Sequence, residues 1–453
     1  MRAIRLVLIS FIMLASGAGC GRENPSAPGG ADATRLPAKP PVVVTQSTAG
    51  PDQIVVDPGN PAYLMYADGR TFYMAGPGDP EGFLYRGTRN ADGTRTGDQL
   101  LLIDKLAQWG GNCIYLQAVR SDGGDGGPTE NPFIDSDKSN ALDPDILDQW
   151  ETWFQAMDAA GIVVYFFLYD DSACLWECDT ATDSIPPLQE VNFIAGIVNR
   201  FEHLENIIWV LAEEYAEAFS AERISYMASI VRGADDFDHV VAVHKQTGID
   251  FSEFANDPNI DQFAVQIPES TPAEVYTLME NAHMLADGDY NLNMSESAMH
   301  GDGANARRKN WASAMAGAYV MVLGWDIATT SASDLADCRV LIDFMEQTNY
   351  ASMTPRNDLA FGDTEYCLSN GADEYVLYAS NRAGELGAKG ITPGLYDFHW
   401  LDIATGTTIF QAGVAASGAD ETFPAPPGIG SEAAAHVAPL SYTGVPYGRS
   451  DSY

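Results

Sequence analysis

Within Asn206-Ile207-Ile208-Trp209-Val210-Leu211-Ala212-Glu213-Glu214-Tyr215, an apolar run stops abruptly at two adjacent carboxyl groups. A pair of carboxyls can cleave a glycosidic bond when one is held protonated and the other ionised on either side of it. Glu296, closing the segment Leu292-Asn293-Met294-Ser295, is the natural second member. On this reading Glu214 and Glu296 are the two carboxyls that would meet across a scissile glycosidic bond. Side chains alternate along an extended strand, so Glu213 is expected on the face opposite Glu214, as a supporting or loop-facing group. Amides, carboxylates and aromatic rings that bind hydroxyls or stack on sugar rings complete the candidate set: Gln117, Asp170, Tyr215, His244, Gln266 and Trp325.

Other chemistries lack their marks. The chain has no Gly-x-Ser-x-Gly elbow, no His-Glu-x-x-His pair and no phosphate-binding Gly-x-x-x-x-Gly-Lys-Ser/Thr. The loop Asp122-Gly123-Gly124-Asp125-Gly126-Gly127 does not have the EF-hand ligand spacing. No metal ligand set and no cofactor are expected.

Such residues need a scaffold that gathers strand ends. Short apolar runs at Asn112–Val119, Ile162–Tyr169, Ile207–Leu211, His239–Lys245, Asp261–Ile267, Tyr290–Met294 and Tyr319–Gly324 read as buried strands, with Phe72–Met74 as the first of eight. Helical patterns separate most of them: Asp98–Trp109 before Gly110-Gly111, Asp143–Ala160 opened by Asp143-Pro144, Pro187–His203, Ser220–Ala234, Thr271–Ala286, Asn305–Ala318 and Ser333–Gln347. The implied fold is α/β, a (β/α)8 TIM barrel followed by a small all-β sandwich. In such a barrel function sits at the C-terminal strand ends. These carry Asp79 and Glu81, Gln117 and Arg120, Asp170 and Asp171, Glu213 and Glu214, His244 and Lys245, Gln266 and Glu269, Glu296, and Trp325 and Asp326.

From about Asp358 the helical periodicity gives way to short strands at Glu374–Ser380, Gly394–Leu401 and Thr407–Phe410, with turns at Asn370-Gly371, Asn381-Arg382 and Thr405-Gly406. Ahead of the barrel pattern, Gln53–Ala75 reads as two short strands around the turn Ala67-Asp68-Gly69-Arg70, the second, Thr71–Met74, containing the first of the eight. The chain divides on this basis into a lipoprotein-type signal peptide at 1–19, a flexible linker at 20–45, the catalytic barrel at 46–355 and the β-sandwich at 356–453.

The N-terminus is basic at Arg2 and Arg5, apolar from Leu6 to Leu14, then small up to Cys20. That order implies export and a lipidated Cys20, which places the protein in a bacterial cell envelope, anchored to the outer membrane or cell surface, with simple secretion as the alternative. A formal net charge of -39 argues against nucleic acid and anionic lipid as partners. Contact with a membrane is expected only through the lipid anchor; the partner is a carbohydrate substrate, and the protein is read as a monomer. Of the other cysteines, Cys174 and Cys178 read as a local bridge, Cys338 and Cys367 as a clamp between domains, and Cys113 as a buried free thiol.

Over about residues 50 to 410 the chain resembles the apiosidase-like glycoside hydrolases, TIM-barrel enzymes of plant-polysaccharide degradation with a C-terminal β domain of collagen-binding type. The resemblance lies in Ile208-Trp209-Val210-Leu211-Ala212-Glu213-Glu214, in His244 ahead of Asp261-Gln262-Phe263-Ala264-Val265-Gln266, and in Asn293-Met294-Ser295-Glu296. Arg307-Arg308-Lys309-Asn310-Trp311, Ala316-Gly317-Ala318 and the tail from Gly394-Leu395-Tyr396 to Trp400-Leu401-Asp402 extend it. It implies that Glu214 is the acid/base and Glu296 the nucleophile. Two departures stand out. Glu213-Glu214 replaces the family's usual Gly and Asp, and Gly76-Pro77-Gly78-Asp79-Pro80-Glu81 replaces its Gly-Asp-Thr. Apiose specificity is therefore not carried over from the resemblance. A plant or algal polysaccharide or oligosaccharide fits this reading, and a non-catalytic, surface glycan-binding lipoprotein is the alternative.

Overall fold

Eight apolar segments pair side by side in one parallel sheet. They are β1 (Ala75–Pro77), β2 (Cys113–Gln117), β3 (Val163–Phe167), β4 (Ile207–Val210), β5 (Val241–Lys245), β6 (Gln262–Gln266), β7 (Asn291–Glu296) and β8 (Tyr319–Val322). The hydrogen-bonded order runs β1-β8-β7-β6-β5-β4-β3-β2. Its two ends meet through Asn112: the Asn112 amide donates to Ala75 O at 3.0 Å, and the Ala75 amide donates to Asn112 Oδ1 at 2.9 Å. The sheet thus closes on itself, the α/β TIM barrel expected. In the computed structural model residues 49–78, 82–178, 184–268, 271–297, 300–322 and 324–440 are described. The expectations on the signal peptide, the linker, Cys20, Asp79, Glu81 and Glu269 fall outside them.

Among the described residues seven helices cover the strands: α1 (Gln99–Trp109), α2 (Pro144–Ala159), α3 (Leu188–Phe201), α4 (Ala221–Ala234), α5 (Pro272–Ala286), α6 (Gly303–Met315) and α7 (Ala332–Met345). Their starts follow local chemistry. Asp143 caps α2 by accepting from the Asp145 amide at 3.0 Å, with Pro144 in the first turn. Thr271 and Glu274 form a reciprocal capping box on α5. Between β5 and β6 a single 3-10 turn, Ser252–Phe254, stands where a barrel normally has a helix. Among the described residues no helix is long and apolar enough to cross a membrane.

The first strand lies three residues beyond the expected Phe72–Met74. Only Met74 O joins the ladder, accepting from the Val320 amide at 3.1 Å, and paired register begins at Ala75 opposite Val320. Phe72 and Tyr73 are buried instead as anchors below the barrel, where the Tyr73 hydroxyl donates to Ala318 O at 2.9 Å. The expected hairpin around Ala67–Arg70 is also displaced. Ile54–Val56 pairs antiparallel with Leu64–Tyr66, and Thr71 makes one bridge to Met65. At the other side, β7 runs through Glu296 rather than stopping at Met294.

Beyond the barrel lie two antiparallel sheets. The larger holds Thr354–Pro355, β9 (Tyr366–Ser369), β10 (Tyr375–Ala379), β11 (Gly394–Asp402), β12 (Thr407–Ala416) and β13 (Ala433–Pro439), in the order Thr354–Pro355, β9, β10, β13, β11, β12. The smaller holds Ala360–Gly362, Leu386–Ala388 and Glu421–Phe423. One apolar core draws on both, with the Phe398 and Phe423 rings 4.7 Å apart between centroids. The larger sheet packs against the barrel through a file of rings. Tyr276 of α5 stacks on Tyr366 at 3.9 Å, Tyr366 faces Tyr378 at 5.7 Å, and Trp311 of α6 stacks on Tyr378 at 5.3 Å. Beside them Arg307 of α6 holds Glu432 in a two-point contact at 3.0 and 2.7 Å and reaches Asp337 at 3.1 Å.

Cys174 and Cys178 form a disulfide, as their spacing implied. Cys113 is a buried free thiol. The expected clamp between Cys338 and Cys367 is not formed, and both are buried free thiols. Cys338 faces Asn310 of α6 inside the barrel's helical layer, whereas Cys367 belongs to the separate core of the β sheets.

Candidate active site

Parallel strands place all their C-terminal ends at one mouth. Past β4 the chain stays attached to its neighbours, as the Leu211 amide donates to Ala242 O at 3.1 Å and the Glu213 amide to Tyr169 O at 3.0 Å. At Glu214 the backbone turns left-handed, with φ 40° and ψ 46°, and starts the short turn Tyr215–Glu217. A side chain in that region costs about 1 kcal/mol or more relative to ordinary backbone. The Glu214 amide, turned inward, donates to His244 Nδ1 at 3.0 Å. This twist breaks the strand alternation, so Glu213 does not face away from Glu214 as expected. Glu213 is buried in the mouth, where its Oε2 accepts from Gln117 Nε2 of β2 at 2.9 Å.

Glu214 is half-buried, and burial raises its carboxyl to about 7 despite the opposing hydrogen bond from Gln266. The carboxylates of Glu296, Glu217 and Asp171 push in the same direction as burial. Gln266 Nε2 of β6 donates to Glu214 Oε1 at 2.8 Å, while its own Oε1 accepts from the Thr247 amide at 2.6 Å. Asp171, Glu214 and Glu217 each bring an oxygen within 4.8 Å of the other two. Glu217 is in turn fixed by Ser172 Oγ at 2.5 Å and Gln246 Nε2 at 2.9 Å.

His244 on β5 is fully buried, and burial lowers its imidazole to about 3, so the ring is neutral. Because Nδ1 accepts the Glu214 amide, the ring proton sits on Nε2. Nε2 faces Glu296 Oε2 of β7 at 3.7 Å. One neutral ring therefore links the acidic turn after β4 to the carboxylate on β7.

Asp170, just beyond β3, is buried beneath this pair. Gln117 Nε2 reaches its Oδ1 at 3.2 Å, and the Asp125 amide and Arg120 Nε reach its Oδ2 at 3.1 and 3.2 Å. Arg120 also binds Glu130 at 2.9 Å. Burial, then the nearby Asp170, lifts the Glu213 carboxyl well above the usual carboxylate range; Asp170 is raised too, by burial, with Arg120 opposing.

The other sequence candidates stand further out. Tyr215 is buried against Phe254, edge to face at 5.1 Å, and its hydroxyl donates to Glu253 at 2.5 Å. Lys245 holds the same Glu253 carboxylate. Trp325, after β8, donates from Nε1 to Gly301 O at 2.7 Å and meets the His300 ring at a right angle. The structure brings six of the sequence candidates, Gln117, Asp170, Glu214, His244, Gln266 and Glu296, together at one mouth. Sequence reasoning missed Glu213 as a member, because only the left-handed turn at Glu214 brings it in, and it missed Tyr115 of β2, buried where Glu213 and Glu296 both act on its hydroxyl.

The model of one protein family, described as apiosidase-like, catalytic domain, matches residues 60–325. A crystal structure of a glycoside hydrolase family 5 protein from Bacteroides vulgatus aligns with a TM-score of 0.64 at 13% identity, covering 87% of this chain and 96% of that one. A second structure, titled glycoside hydrolase, gives 0.61 at 14% identity over 87% and 99% of the two chains. At such identities these likenesses speak for the fold. No curated protein matches the chain by sequence.

Proposed function

The chain belongs to the apiosidase-like family of catalytic domains, and from that premise we propose that it is a retaining glycoside hydrolase acting on a plant or algal polysaccharide or oligosaccharide. The observation that carries this reading is the contrast across the mouth. Glu214 holds its proton to about pH 7, while Glu296 stands opposite a neutral imidazole with its N–H turned toward the carboxylate. A protonated and an ionised carboxyl are the pair that glycoside hydrolysis requires.

In the first step a Glu296 oxygen attacks the anomeric carbon as the bond to the leaving oxygen breaks, and the Glu214 proton passes to that oxygen. The result is a glycosyl ester on Glu296 and an ionised Glu214. In the second step Glu214 takes a proton from water, whose oxygen attacks the anomeric carbon and frees Glu296. His244 Nε2–H steadies the Glu296 carboxylate, and Gln266 fixes the rotamer of Glu214. Gln117 is buried in the same mouth, where it holds Glu213 and Asp170 in place. We also propose that Cys20 carries a lipid that tethers the enzyme to the cell envelope; labelled palmitate incorporated by wild type but not by Cys20→Ala is the expected result.

The test is hydrolysis of aryl glycosides and a panel of plant and algal polysaccharides by wild type, Glu214→Gln and Glu296→Gln. Loss of roughly 10²–10⁴-fold in each variant is expected. Glycan binding without product release by wild type would instead mark a non-catalytic glycan-binding protein.

A further inference from the structure

Two buried acids in the mouth have no part in that chemistry. Glu213 and Asp170 are joined through Gln117, whose Nε2 donates to a carboxyl oxygen of each, at 2.9 and 3.2 Å. The donors around them are unevenly shared. Asp170 Oδ2 receives the Asp125 amide and the Arg120 guanidinium, whereas Glu213 Oε2 receives the neutral amide of Gln117. A negative charge is therefore stabilised on Asp170 and a proton on Glu213. The groups that face the pair are Gln117 and Tyr115 from β2, Arg120 with its partner Glu130, Asp125 from the loop after β2, and Glu296 from β7.

Resting on the glycosidase reading, we infer that Glu213 is a positioning residue that shares one proton with Asp170 and stands beside Glu296 as a neutral carboxylic acid. Like charges a few ångströms apart in a buried site are costly, and an ionised Glu213 would hinder ionisation of the nucleophile. Held neutral, Glu213 fills the mouth next to Glu296 with a polar group of fixed shape and no charge. The second negative charge stays on Asp170, neutralised by Arg120. This also accounts for the composition of the site: a second carboxyl directly before the acid/base is tolerated because Gln117, Arg120 and Asp170 come with it.

The proton is read directly by infrared difference spectroscopy at pH 7, without substrate. In full-length protein carrying Glu214→Gln, which removes the other protonated carboxyl of the mouth, adding Glu213→Gln is expected to remove one carboxylic-acid carbonyl band. Loss of a carboxylate band instead would overturn the inference. Asp170→Asn, a second variant should the first not fold, is expected to move that acid band, because its hydrogen-bond acceptor changes from carboxylate to amide; an unmoved band counts against sharing. In turnover, Glu213→Ala is expected to lose about 10²-fold in kcat/KM through misplacement of Glu296. Glu213→Gln, neutral and of the same shape, is expected to recover most of that loss, and a Gln variant as impaired as the Ala variant would overturn the positioning role. The infrared measurement needs no reaction, so failure to hydrolyse any glycoside counts against the glycosidase reading and leaves the shared proton standing.

Discussion

At the scale of single residues the site is governed by one backbone angle. The left-handed turn at Glu214 brings its carboxyl, its amide and the preceding Glu213 to the same mouth. Sequence alternation placed Glu213 on the far side because alternation holds only while the backbone stays extended. Nothing in the residue types announces that a glutamate will take φ 40°, a region more usual for Gly or Asn. The residues whose positions need no such turn, Gln117, His244, Gln266 and Glu296, were legible from strand ends alone.

With Glu214 raised to about 7, kcat/KM is expected to hold at mildly acidic pH and to fall above about pH 7 as the acid loses its proton. A pH–rate profile checks this, and the alkaline limb should vanish in the residual activity of Glu214→Gln. The same group affects stability. Unfolded, it titrates near 4.3, roughly the ordinary Glu value; folded, it keeps its proton to about 7. The folded state thus binds more protons across that window, and stability falls as pH rises through it. Thermal melts are expected to show Glu214→Gln gaining on wild type from pH 4 to 7 and staying ahead above it, by a margin reduced because the group is half-exposed.

At the scale of elements, the apolar runs gave the strands and the capping residues gave the helix starts. Pairing register was the hidden part. Phe72–Met74 is as apolar as a strand should be, yet β8 pairs with Ala75–Pro77, where Gly76 lies close to Gly111 and Cys113 at the start of β2. A Cβ on Gly76 would meet Gly111 Cα at 3.1 Å and Cys113 Sγ at 3.2 Å, so the closing seam selects the small residue over the more apolar stretch. Caps make the energetic case measurable. Ser220 accepts from the Arg223 amide at the start of α4. Ser220→Ala is expected to cost about 1 kcal/mol in chemical denaturation, since it leaves that amide without its cap.

At the scale of the molecule, the division into barrel and β sheets was legible from the change in periodicity, while the bond between them was not. Two cysteines suggested a covalent clamp, but Cys338 and Cys367 lie in different cores and stay free. Rings and a guanidinium do that work instead, at positions whose types are common on any helix surface. Arg307→Ala leaves Glu432, itself buried, without its two-point partner. The expected cost is about 3 kcal/mol, and calorimetry is expected to split one unfolding transition into two as the β sheets melt ahead of the barrel.

The stacked file of Tyr276, Tyr366, Tyr378 and Trp311 limits which modules could be exchanged. Half of that file belongs to α5 and α6, which lead into β7 and β8, so a gene cut near codon 355 would leave bare aromatic faces on the barrel. Exchange of the β portion for another is therefore expected to give a folded chimera only where the incoming module brings its own matching rings.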